Sequence, residues 1–209
     1  MVQSFFETYE TYRDSVYYDA SAWSVAHFYN IKYQEASKIP QGKRIKKASD
    51  LGTLVPLKKS NYAYAVNAQD YNIPALIQGL QDNNLVASTA FKPFQTKGNL
   101  AFPYGSLVIP VALQSKSSEE TYTVLQTLQK QHQVQIHGLP TGFSTQGVDL
   151  GSRNIRPIKK PKVAMIIGEG TRSYEAGEVW HLLDTRVGMP ITKVHQHRFK
   201  NLDLEKYNT

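Results

Sequence analysis

The residues best suited to chemistry lie late in the chain. Gly168-Glu-Gly-Thr-Arg-Ser173 follows the apolar run Val163-Ala-Met-Ile-Ile167 and precedes a segment with helical spacing. A glycine-rich turn from a strand into a helix directs backbone N–H groups and the positive end of the helix dipole toward an anion. Gly168, Glu169, Gly170, Thr171, Arg172 and Ser173 are therefore candidate ligand-binding residues, with Thr171, Arg172 and Ser173 as side-chain donors. The loop has neither the full dinucleotide fingerprint nor the P-loop lysine, and a plain strand-to-helix turn uses the same residue types. His195-Gln-His197 puts two imidazoles on one face of a strand, as metal ligands sometimes are, but no third ligand lies nearby in sequence. Glu175, Glu178, His181 and Asp184 recur every three residues, so Glu178 and His181 share a helix face as an acid/base or metal pair does. A solvated helix face has the same pattern.

Other chemistries are excluded or disfavoured. The chain has no cysteine, so it carries no disulfide, thiolate metal site or cysteine nucleophile. Serine, histidine and aspartate are present without a Gly-x-Ser-x-Gly elbow, and no catalytic residue is assigned. The net charge of +7 is concentrated in two segments. Residues 38–59 hold seven basic side chains (Lys38, Lys43, Arg44, Lys46, Lys47, Lys58, Lys59) against Asp50, and residues 153–162 hold five and no acid. Together they carry +11, leaving about −4 on the rest of the chain. Without zinc-finger spacing or an aromatic single-strand platform, this charge reads as solvated loops, and nucleic acid is not an expected partner.

The elements that must position these residues follow from periodicity. Within 209 residues, 41% hydrophobic and 20% charged, a packed core is expected and disorder is not. No apolar run approaches the ~18 residues of a membrane span. The opening Met1–Thr8 lacks a basic region followed by an apolar one, so no signal peptide is read there. Residues 1–59 read as a helical and irregular arm, with a helix over Ser21–Asn30 and an aromatic group of Tyr17, Tyr18, Trp23, Phe28 and Tyr29. Residues 60–160 read as an α/β domain. Strands are predicted at Tyr62–Val66, Leu85–Ala90, Ser106–Val111 and Val134–His137. Helices are predicted from Ile73 to Leu80 and after a Ser117-Ser118 cap. Residues 161–209 add a strand at Val163–Ile167, a helix over about Ala176–Arg186 and a strand at Ile191–Val194. Such alternation predicts a three-layer α/β fold with a mostly parallel sheet. A unit opening at Val163 would need more strands than remain, so the sequence predicts a truncated unit whose open sheet edge invites a homodimer.

Several segments, in order and spacing, resemble bacterial zinc-carboxypeptidase-like proteins in the region after their peptidase domain. They are Tyr18–Trp23, the run from Phe91–Phe94 to Gly105–Pro110, Gly147–Ser152, Pro161–Gly168, Tyr174–Trp180 and Asp203–Tyr207. The stretch from Lys162 resembles the opening of a class I glutamine-amidotransferase-like domain, which implies a flavodoxin-like sheet. None of the six histidines is followed three residues later by glutamate, so the family's His-x-x-Glu zinc site is absent. The amidotransferase Cys–His–Glu set is absent too. The resemblance implies a non-catalytic accessory region that packs beside the parent's own peptidase domain and helps present peptide substrate. It also implies zinc in that other domain, no cofactor here, and a periplasmic, cell-surface or secreted location.

Overall fold

The computed structural model describes residues 54–209 continuously and, before them, residues 31–34, 37–38, 41–42 and 44–46. The chain divides into two units, Met1–Leu51 and Gly52–Thr209. The described residues of the first unit are exposed and form no helix or strand. The predicted helix at Ser21–Asn30 and the aromatic group around Trp23 lie outside the described residues.

The second unit runs β1 (Ala63–Val66), α1 (Ile73–Asp82), β2 (Ser88–Ala90), β3 (Phe94–Gln95), β4 (Ala101–Phe102) and β5 (Leu107–Pro110). It continues with α2 (Ser118–His132), β6 (Ile136–Leu139), β7 (Gln146–Gly147), β8 (Ile155–Pro157), β9 (Val163–Ile167), α3 (Ser173–His181) and β10 (Ile191–His195). Local chemistry explains the helix ends. Pro74 occupies the first turn of α1, where its missing N–H costs nothing. Ser117 caps α2 in a capping box: its hydroxyl accepts from the Glu120 N–H at 3.2 Å, and its own N–H donates to the Glu120 carboxylate at 2.8 Å. Those bonds from the Ser117 hydroxyl and backbone hold the Glu120 carboxyl below its usual range.

The expected mostly parallel, flavodoxin-like three-layer sheet is not what forms. β6, β1, β5, β2 and β8 make one five-stranded sheet in that order, and every neighbouring pair in it is antiparallel. β1-α1-β2 and β5-α2-β6 are each a strand–helix–strand crossover, but the returning strand does not lie beside the first. β5 sits between β1 and β2, and β1 sits between β5 and β6. These are interlocked split βαβ units, the ferredoxin-like arrangement, with β8 added at the β2 edge.

Both faces of this sheet are covered. Tyr64, Val66, Leu107, Ile109 and Ile136 face the helices, meeting Leu76 and Leu80 of α1 and Leu125 and Leu128 of α2. The alternate residues Ala63, Ala65 and Val108 face a small antiparallel sheet, ordered β4-β3-β7, through Phe94 and Phe102. The two helices meet at Gly79, where a Cβ would lie 2.8 Å from His132 Nε2 and 2.9 Å from Leu128 Cδ2. A larger residue there would force them apart.

Residues 161–209 differ in kind. β9 and β10 are the only parallel pair among the described residues, in register from Val163↔Ile191 to Ile167↔His195. α3 joins them, passing into a π-helical stretch, Leu182–Val187, that Gly188 ends in left-handed conformation (φ +74°). The helix thus starts three residues before the predicted Ala176. Lys193 Nζ sits 3.6 Å over the Trp180 ring, tying β10 to α3. On the other side of β9, Asn208 N donates to Lys162 O and Ala164 N donates to Thr209 O, both at 3.0 Å, so residues 208–209 run along that edge. β9 is parallel as expected, but each of its five residues is only half-buried. Val194 is the single buried side chain from residue 161 onward.

Candidate functional site

The predicted ligand loop is positioned by the parallel pair. β9 ends at Ile167, and Gly168 and Gly170 take φ of +107° and +81°, which only glycine adopts at little cost. Thr171 N donates to Gly168 O at 3.0 Å, closing the turn. Arg172 is the N-cap of α3, extended and without a side-chain cap bond, and its guanidinium lies 3.8 Å from Glu175 with both groups largely in water. An ion pair so exposed contributes little stability, so Arg172 remains free to turn toward a ligand.

The structure brings the two histidines to this loop, which the sequence treated separately. Because Ile167 pairs with His195, the strand ends lie side by side. The His195 imidazole rests against Gly168, where any Cβ would collide with the ring, and Gln196 Oε1 lies 3.7 Å from where a Gly170 Cβ would sit. The rings of His195 and His197 are 4.4 Å apart, tilted by 40°. Beside them an open cleft of about 710 Å³ is lined by Ile167, Lys193, His195, His197, Arg198 and Asn201. Its charged lining is cationic and contains no carboxylate. Lys193 and Arg198 are functional candidates that sequence reasoning missed; only the strand register would have revealed them.

Glu178 and His181 do share a face of α3, lining a shallow groove with Ser173, Tyr174 and Gly177. Asp184 falls in the π-helical stretch beyond α3. Among the described residues no group of three His, Asp or Glu side chains is placed to hold a metal ion. No helix among them is long and apolar enough to cross a membrane. No family model, curated protein or solved structure matches this chain.

Proposed function

We propose that this chain is a non-catalytic accessory region of a zinc-carboxypeptidase-like hydrolase, exported with its parent, which docks beside the peptidase domain and helps present peptide substrate. The observation that supports this best is the apolar surface on residues 161–209. Tyr174 is 84% exposed, Leu182 52%, Val179 49%, Trp180 41%, Phe199 45% and Leu204 58%, while no residue of α3 is buried. A helix with aromatic and aliphatic side chains in water marks a surface that another body covers. The segments at Pro161–Gly168 and Tyr174–Trp180, which carry the family resemblance, form part of that unit. The outer edge of β10 is where a second copy would add.

A second reading is favoured by the contact of His195 with Gly168 and by the cationic cleft beside it: a small anion bound at Gly168–Ser173. Strand ends of parallel α/β units are where such ligands collect. Phosphate or a carboxylate would then raise the melting temperature, and Arg172→Ala would remove the shift.

Zinc analysis by elemental mass spectrometry, after dialysis without chelator, tests the accessory reading together with turnover of C-terminally blocked and free peptides. Substoichiometric zinc and no turnover are expected. One tightly held zinc per chain, lost in His195→Ala or His197→Ala, would sink it.

A further inference from the structure

The basic run at residues 153–162 is not absorbed by either reading. It forms β8, the edge strand beyond β2, and Phe91 N donates to Asn154 O at 2.8 Å to lock the end of β2 against it. This places Arg156 on an aromatic pair drawn from two other parts of the chain. The guanidinium carbon lies 4.5 Å from the centre of the Phe91 ring, and Phe91 meets Tyr104 edge-on, with centroids 5.7 Å apart at 87°. Tyr104 comes from the turn before β5, held there as Gly105 N donates to Ala90 O at 2.8 Å. Both rings remain in water, Phe91 37% and Tyr104 64% exposed.

Exposed cations neighbour this stack along the chain: Lys92 follows Phe91, and Arg153 and Lys159 lie on either side of β8. None of them, nor Arg156, has a carboxylate partner among the described residues. Lys160 is different, because Asp82 holds it at 3.2 Å. Charge and proline on an edge strand prevent edge-to-edge aggregation, which accounts for Arg156 and Pro157. It does not account for two aromatic rings left in water beside them.

We infer that this edge binds single-stranded nucleic acid, with bases stacked on Tyr104 and on the Arg156–Phe91 pair, and phosphates held by Lys92, Arg153, Arg156 and Lys159. A ligand that complements the patch must alternate flat rings with negative charge, and every base has a face that stacks without regard to sequence. The platform was invisible in the sequence because its rings lie far from the basic run. This inference stands apart from the accessory reading, since it uses the opposite part of the unit's sequence and none of residues 161–209.

The test is fluorescence anisotropy of the full chain with a labelled oligothymidylate of about 12 nucleotides, within the usual site size. Four phosphate contacts on a single strand give a log–log salt slope of about −2.8, hence about 50-fold weaker binding at ~200 mM than at ~50 mM salt. Arg153→Gln and Lys159→Gln should each flatten the slope by about 0.7. Tyr104→Ala, a surface change whose melting temperature verifies the fold, should weaken binding about 5- to 150-fold. Absence of saturable binding overturns the inference. So does undiminished binding by Tyr104→Ala, or inorganic polyphosphate competing as well as the unlabelled oligonucleotide at equal charge, which would reduce the patch to charge alone. An acidic polysaccharide that binds more tightly than the oligonucleotide also overturns it, in favour of a glycan.

Discussion

Replacing Gly168 with alanine tests whether the strand-to-helix loop is built as described. Gly168 has φ of +107°, outside the regions an L-residue occupies comfortably. Holding alanine there costs about 1–3 kcal/mol. The new methyl would also sit 2.8 Å from both ring nitrogens of His195. His195 is exposed, so its ring can swing away, and the collision should add little once it has moved. The backbone contribution therefore dominates. For a chain of this size about 1 kcal/mol corresponds to about 2–4 °C, so Gly168→Ala should melt about 2–12 °C lower by calorimetry or circular dichroism. Comparison with His195→Ala and with the double variant separates the two causes. If φ dominates, removing the imidazole does not rescue Gly168→Ala; if the collision dominates, it does. A Gly168→Ala protein that melts with the wild type would refute the left-handed turn.

Two further perturbations test the body of the fold. Ser117→Ala removes the hydroxyl half of the capping box, leaving the Ser117 backbone N–H to Glu120, and should cost about 1 kcal/mol in urea denaturation, with an unchanged m-value; no loss would mean that α2 does not start at residue 118. Burial lowers the pKa of His132 and of His137 below the ordinary 6.5. The unfolded chain therefore binds more protons just below that value, so the stability these groups contribute is complete above pH ~6.5 and is lost as pH falls through their folded pKa values. Urea midpoints at pH ~7.5 and ~5.5 should differ in the wild type and converge in His132→Gln/His137→Gln; an unchanged pH dependence in the double variant would refute this assignment.

Local signals were legible in the sequence and pairing partners were not. The Ser117 cap, Pro74, the apolar stripe of α1 and the β9 run each depend on neighbours a few residues away, and each falls where its pattern places it. The alternation of the longer strands and helices from β1 to β6 was also read, without the two-residue β3 and β4. It is the same whether the returning strand pairs with the first or leaves a gap for a third, so the antiparallel split arrangement cannot be distinguished from a parallel sheet by alternation alone. Burial on both faces of β1 does not decide it either, because β3, β4 and β7 cover the face that helices would cover in a doubly wound fold. Those strands are two residues each, too short for any periodicity. The loop at Gly168 and the pair His195/His197 were visible separately. Their contact depends on the register Ile167↔His195, a long-range fact.

Burial is divided unevenly along the chain. The split βαβ body encloses its own two-sided core. Residues 161–209 bury only Val194 and leave Tyr174, Val179, Trp180, Leu182, Phe199 and Leu204 between 41% and 84% exposed. Fully burying such a side chain contributes about 1.5–3 kcal/mol, and these are partly covered already, so covering the remainder yields roughly 1 kcal/mol each. The total, about 6 kcal/mol, falls near the low end of the rigid-body cost of about 4–15 kcal/mol that a free partner must overcome. A body tethered in the same polypeptide meets this surface at millimolar effective concentration and avoids most of that cost. A body that covered these side chains would therefore hold them more tightly when linked in the same polypeptide than when diffusing freely.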